Sequence, residues 1–167
     1  DGGNITVHGR CGIQLQSAAL PEHIRAAEAL RLFSEWNKSG KETSWTEELG
    51  IQEFAKKRYG ALSTGQKRRL HLALALTGNP DILFLDEPTA GLDPKERLRL
   101  RRYIADLAQD RIVFLTTHIV SDIESIARDV LLMQEGSIVA HGTPEDLMAR
   151  VGGSSLEDVY MAYLGEE

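Results

Sequence analysis

Cysteine is almost missing from this 167-residue chain, where Cys11 is the only one. An intrachain disulfide and a cysteine zinc cluster are therefore excluded, and a reducing, cytosolic compartment is the simplest expectation. Long apolar runs are missing as well. No stretch approaches the ~20 residues needed to span a bilayer, and no secretory signal opens the sequence. If the protein works at a membrane, another subunit must hold it there. Basic residues are in deficit, 19 Lys and Arg against 25 Asp and Glu, for a net charge of −6. That disfavours nucleic acid as a partner, because phosphate neutralisation needs clustered Lys and Arg. What remains is ordinary for one soluble domain with a real core: 42% hydrophobic and 26% charged residues.

Strands alternate with helices along the chain. Ile5–Val7, flanked by Gly3 and Gly9, and a stretch around Ile13 and Leu15 ending at Gln16 read as short strands. Pro21 to Trp36 reads as a helix, with Pro21 at its first position and Ile24, Ala27, Leu30 and Leu32 along one side. A polar loop, Asn37 to Ser44, precedes two shorter helical segments at Thr46–Leu49 and Ile51–Tyr59. Gln66 to Thr77 carries Leu70, Leu72, Leu74 and Leu76 on every side, which predicts a buried helix, broken by Gly78-Asn79-Pro80. Ile82–Leu85 and Ile112–Leu115 read as buried strands of a parallel sheet. Between them Pro94 to about Ala108 has Leu100, Tyr103, Ile104 and Leu107 at helical spacing. Then follow a helix Val120–Arg128, a hairpin of Val130–Met133 with Ile138–Ala140, a helix Pro144–Val151 capped by Thr143, a Gly152-Gly153 hinge and a last helix Ser154–Leu164. The alternation indicates an α/β layered fold with a largely parallel core and a helical insert.

The residues that carry chemistry stand at element ends. Asp86 and Glu87 follow directly on the apolar run Ile82–Leu85. Two acids at the carboxyl edge of a parallel sheet suit Mg²⁺-assisted phosphoryl transfer, one holding the metal and the other orienting or deprotonating a water. Leu62-Ser63-Thr64-Gly65-Gln66 opens a helix, where free N–H groups and the dipole favour phosphate; Ser63 also reads as a plain helix cap. His118 and Gln16 each end a strand, within reach of a phosphate, metal or water, or with a structural part only. Asp93, in Gly91-Leu92-Asp93-Pro94, has the form of a helix N-cap with Pro at the first helical position.

Taken in order, these segments resemble the ATP-binding cassette (ABC) ATPases over nearly the whole chain. Leu62–Gln66 is similar to the family signature, with Thr64 in place of the commoner Gly. Leu83–Glu87 resembles Walker B plus the catalytic glutamate, Gly91-Leu92-Asp93 the D-loop, Thr117-His118 the switch histidine, and Arg10–Gln16 the approach to the Q-loop. The ending Leu156–Tyr160 is similar to ATPases of multidrug, antibiotic and polysaccharide exporters. The resemblance implies a P-loop NTPase-like fold, ATP and Mg²⁺ as cofactors, and a head-to-tail dimer. Asp86 would hold the metal, Glu87 would polarise the water, Gln16 would sense both, and His118 would contact the γ-phosphate. Ser63, Thr64, Gly65 and Gln66 would bind the ATP of the opposite subunit, with Asp93 touching across the dimer. It also implies docking of a membrane permease on the helical insert, where Trp36 and Trp45 lie, and hence a cytoplasmic location on the inner face of the cell membrane.

One family element is missing from the sequence. Gly-x4-Gly-Lys-Ser/Thr, the phosphate-cradling loop, does not occur: Gly60-x4-Gly65 is followed by Gln66, and Gly40-Lys41 by Glu42. Only six residues separate Gly9 from Gln16, fewer than the family usually has. The fold is therefore expected to be N-terminally incomplete. The expected domain divisions are 1–16, a remnant up to the Q-loop; 17–64, a helical subdomain ending in the signature loop; 65–142, the ATPase core; and 143–167, a C-terminal helical extension. A triphosphate facing Asp86 and Glu87 without a lysine meets like-charge repulsion of about 4 kcal/mol per close pair at ~4 Å and an effective dielectric of ~20. Poor ATP binding by this chain alone is expected, and so are apolar strand faces left uncovered. Three readings stand: an incomplete exporter ATPase subunit, a non-catalytic module lending its signature loop to a partner, and a soluble ABC protein of nucleic acid or the ribosome. The last is disfavoured by the acidic balance.

Overall fold

The computed structural model describes residue 4, residues 6–38 and residues 44–165. Gly3 and Ile5 of the expected first strand, and residues 39–43 of the expected loop, lie outside the described residues. Thr6 and Val7 are not in a strand, and no described segment pairs with them. The chain divides into two compact units, one ending at Thr116 and the other beginning at Thr117.

The first unit is built on three parallel strands, β1 (Cys11–Gln14), β2 (Ile82–Asp86) and β3 (Ile112–Thr116), in the order β1-β2-β3. Gln14 pairs with Leu85, and Asp86 with Thr116. β1 ends at Gln14, so Gln16 lies in the turn beyond the strand rather than at its end. Its inward face is also the opposite of the apolar pattern. Gly12 and Gln14 are buried, while Ile13 and Leu15 are exposed. Gly12 decides this: a Cβ there would lie 2.1 Å from the Ala75 carbonyl oxygen, so only glycine allows the approach of the neighbouring helix.

β2 and β3 leave an apolar face uncovered, as expected for these two strands. Leu83 and Leu85 are fully buried, yet Phe84 on the other face is exposed, as are Ile112 and Phe114. Phe84 and Phe114 pair in register and stack at 5.2 Å, so alternate side chains of adjacent strands share one outward apolar face.

Between β1 and β2 the described residues form helices and turns only. Helix α1 (Ala26–Trp36) starts later than Pro21. Pro21 instead opens a turn closed by the Ile24 N–H at 3.1 Å. Arg25 then bridges Arg58, and the Ala26 and Ala27 N–H groups donate to Lys57 and Ala55 carbonyls, which caps the helix from outside. Its buried face is Ala26, Ala29 and Leu30, while Ala27 and Leu32 are exposed. The short α2 (Ser44–Glu48) follows. Ile51–Tyr59 is not one helix: it resolves into 3₁₀ turns at Ile51–Glu53 and Tyr59–Ala61, because its middle carbonyls cap α1.

Helix α3 (Thr64–Ala75) is buried continuously from Arg69 to Ala75. Gly78 and Asn79 leave it with φ of 83° and 51°, a left-handed exit into β2. Helix α4 (Pro94–Leu107) buries Leu100, Tyr103, Ile104 and Leu107, the face its spacing predicts.

The second unit has its own core. Helix α5 (Val120–Ile123) is a single turn, shorter than the expected Val120–Arg128. Strands β4 (Val130–Gln134) and β5 (Ser137–Gly142) form an antiparallel hairpin. Glu135 and Gly136 at its tip both have positive φ, the pattern that two-residue hairpin turns require. Helices α6 (Pro144–Val151) and α7 (Leu156–Leu164) pack on it through Val130, Ala140, Leu147, Leu156 and Val159. Thr143 caps α6 through the Asp146 N–H at 3.1 Å, and Gly152 ends it at φ 67°. The fold is α/β around a parallel sheet. Among the described residues no helix is long and apolar enough to cross a membrane.

Candidate functional site

β2 delivers Asp86 and Glu87 to the carboxyl edge of the parallel sheet. Asp86 Oδ1 accepts from the Thr116 hydroxyl at 2.6 Å, and Oδ2 accepts from the Gln16 backbone N–H at 3.4 Å. Three chain segments meet at this carboxylate. Thr116 carries no motif of its own; the signal that would have found it is its register opposite Asp86 in adjacent parallel strands.

Glu87 is the strained residue of the group, with φ at 47°. A left-handed conformation costs a non-glycine residue about 1–2 kcal/mol. It is held there by two backbone bonds: the Glu87 N–H donates to the Thr116 carbonyl at 3.0 Å, and its carbonyl accepts from Ala90 at 3.3 Å. Pro88 and Thr89 behind it are buried. The chain thus turns sharply at Glu87, immediately after Asp86 ends β2.

A second cluster forms where α3 and α4 begin. Ser63 Oγ accepts from the Gln66 N–H at 3.2 Å, and the Ser63 N–H donates to Gln66 Oε1 at 3.1 Å, a reciprocal capping box. Asp93 caps α4, its Oδ1 accepting from the Lys95 and Glu96 N–H groups at 3.0 Å each. The cap readings of Ser63 and Asp93 are thus both realised. The Thr64 methyl lies 3.7 Å from where a Gly91 Cβ would stand, and Glu96 Oε2 lies 3.3 Å from the Gly65 Cβ position. The signature loop and the Gly91–Asp93 turn are therefore neighbours.

Arg69 fastens this cluster. Its buried guanidinium donates to the Leu49 carbonyl at 3.0 Å and pairs with Glu53 at 3.5 Å and Glu96 at 3.4 Å. Arg68, one residue earlier, donates to the Gln16 carbonyl at 3.0 Å. Neither arginine was singled out by motif reasoning, since surface charge is their ordinary reading. His118 is exposed and belongs to the second unit, two residues past the end of β3. Within the first unit the structure brings together Asp86, Glu87 and Gln16, and separately Ser63–Gln66 and Asp93.

Among the described residues no group of three or more His, Cys, Asp or Glu could hold a metal. The oxygen donors at Asp86 nonetheless fit Mg²⁺, which is commonly held by one or two carboxylates, with waters and substrate phosphates completing its octahedron.

Comparison with known proteins agrees with this geometry. The family model described as ABC transporter matches residues 4–90. The chain is 40% identical over 124 residues to the high-affinity branched-chain amino acid transport ATP-binding protein BraF of Pseudomonas aeruginosa, covering 73% of this chain and 46% of that protein. It is 34% identical over 158 residues to the Nod factor export ATP-binding protein I of Burkholderia orbicola, covering 90% and 52%. The chain spans about half the length of these curated relatives. A solved structure described as an ATP binding subunit of an ABC transporter superposes with a TM-score of 0.79 at 22% identity, covering 91% of this chain and 67% of that one. At that identity the likeness speaks for the fold alone. The match through the signature loop and Walker B settles the family: the chain belongs to the ABC transporter family, as part of its ATP-binding domain.

Proposed function

We propose that this chain belongs to the ATP-binding subunit of an exporter, coupling ATP hydrolysis to transport through a membrane permease. The observation that carries the reading is the carboxylate pair at the end of β2: Asp86 oriented by Thr116 beside the Gln16 N–H, and Glu87 next to it, held in a left-handed backbone. Asp86 would hold Mg²⁺, directly or through water, and Gln16, whose backbone N–H donates to Asp86, would sense it. When bound there, Mg²⁺ would supply positive charge that offsets the charge of the phosphates. Glu87 orients and deprotonates the attacking water. His118 contacts the γ-phosphate. Ser63, Thr64, Gly65 and Gln66 donate to the γ-phosphate of ATP held by a second ATPase subunit, and Asp93 touches that subunit. Export is supported by the relative matched over the greater share of this chain, whose name states export.

The expected partners are the second ATPase subunit and the permease, which would hold the protein on the inner face of the cell membrane. The domain divisions at 16, 64 and 142 belong to the same reading. The 167 residues contain no Gly-x4-Gly-Lys-Ser/Thr, so the polypeptide by itself binds ATP weakly and does not turn it over. The capped signature loop, complete without that segment, also suits a non-catalytic module serving a partner's site. In a complete cassette, where a phosphate loop accompanies these residues, Asp86→Asn should abolish Mg²⁺-dependent hydrolysis. Unchanged Mg²⁺ dependence in that variant removes Asp86 from the metal's shell.

A further inference from the structure

One side chain outside every recognised motif ties the signature helix to the metal-side loop. Arg68 stands on α3, in the turn that follows the Ser63 cap. Its Nη1 donates to the Gln16 carbonyl at 3.0 Å. The N–H of the same Gln16 donates to Asp86 Oδ2 at 3.4 Å. Gln16 is therefore held through its backbone from both sides, and neither bond uses its side-chain amide. β1 has already ended at Gln14, so this turn has no ladder bonds to fix it.

Helix α3 is a continuous, well-packed element. A reciprocal capping box closes its first turn, and Arg69 to Ala75 are buried without a break. A pull on the Arg68 guanidinium therefore reaches Ser63–Gln66 rather than dissipating in a loose segment. The guanidinium matters chemically, because a charge-assisted bond from a planar fork holds direction better than a neutral donor.

We propose that Arg68 is a positioning residue, coupling the Gln16 turn beside Asp86 to the signature loop. Displacement of Gln16 on one side is passed to Ser63–Gln66 on the other, so one subunit's metal site reports to the loop that serves its partner's ATP. This rests on the reading above, in which Gln16 faces the metal and Ser63–Gln66 face the partner's nucleotide.

The test uses a complete cassette carrying Arg68→Met, which keeps the stem and removes the donors, and Arg68→Lys, which keeps the charge and N–H donors without the planar fork. Arg68→Met should lower kcat about 10-fold, with KM for MgATP within ~2-fold and the thermal midpoint within ~2 °C. Arg68→Lys should recover half or more of the lost kcat. Amide hydrogen exchange adds a readout that needs no turnover: without nucleotide, Arg68→Met should speed exchange in residues 14–18. Wild-type kcat in Arg68→Met, or a kcat loss matched by a lost thermal midpoint and not recovered by lysine, overturns the proposal. Unchanged exchange in residues 14–18 overturns it whatever the activity. If the unaltered cassette hydrolyses no ATP while Arg68→Met still speeds exchange there, the ATPase reading falls and the tether stands.

Discussion

Asp86 and Thr116 face each other at the last register of β2 and β3, and the Thr116 hydroxyl donates to Asp86 Oδ1 at 2.6 Å. The bond leaves Oδ2 turned toward Gln16. Thr116→Val keeps the shape and removes the donor, so the carboxylate loses its orientation. In a complete cassette the variant should bind Mg²⁺ with ATP about 5–10-fold more weakly, the equivalent of ~1–1.4 kcal/mol, within the net range of one hydrogen bond. Titration of Mg²⁺ at fixed ATP measures this. Unchanged affinity would show that the hydroxyl only closes the strand end.

Gln14 is buried to 2% exposure, and neither of its amide atoms has a hydrogen-bond partner among the described residues. A buried unpaired amide costs about 1–3 kcal/mol. Gln14→Leu should therefore stabilise the chain by ~1 kcal/mol in urea unfolding, without a change in slope. Destabilisation would mean that the amide is satisfied in solution.

The Tyr59–His71 pair sets an acid limit on stability. His71 is buried, its Nε2 shares a hydrogen bond with the Tyr59 hydroxyl at 3.0 Å, and the rings stack at 5.6 Å. Burial first, then the nearby charges of Arg68 and Lys67, hold the imidazole below its ordinary value of 6.5. The neutral form is favoured in the fold, and the unfolded chain takes up the proton more readily. Stability from this site is complete above pH about 6.5 and falls as pH drops below it toward the depressed folded value. His71→Phe should flatten the urea-unfolding free energy between pH 7.5 and 5.5. The same slope in the variant would place the loss elsewhere.

Ile13, Phe84 and Phe114 lie in register across β1, β2 and β3 on an exposed apolar face. Such patches bind dyes and associate. The 167-residue polypeptide should therefore bind anilinonaphthalene sulfonate and self-associate at micromolar concentration, and Phe84→Thr with Phe114→Thr should reduce both. A clean monomer with a cooperative transition at high temperature and no dye binding would contradict this.

Legibility in the sequence followed how local each determinant is. β2, α4 and α6 read directly, because an apolar run or a 3.6-residue stripe is bounded by a cap or breaker: Asp86, Asp93-Pro94, Thr143-Pro144. The inward face of β1 was not legible. Its sidedness comes from a contact between Gly12 and the Ala75 carbonyl, far apart in sequence. The start of α1 was hidden for the same reason, since Lys57 and Ala55 cap it. At the site, Asp86, Glu87, Ser63–Gln66 and Asp93 were visible as motif residues. Thr116, Arg68 and Arg69 were not, because each acts through a partner on another segment, and charge or a hydroxyl at a strand end looks like ordinary surface.

In the proposed function Glu87, held in a left-handed backbone just past β2, activates the water that hydrolyses ATP. In a complete cassette, Glu87→Gln keeps the shape and removes the base. Steady-state turnover should fall ~10²–10⁴-fold, while ATP binding by equilibrium titration stays within ~3-fold of the unaltered protein. Near-normal turnover with Gln at this position would contradict the account.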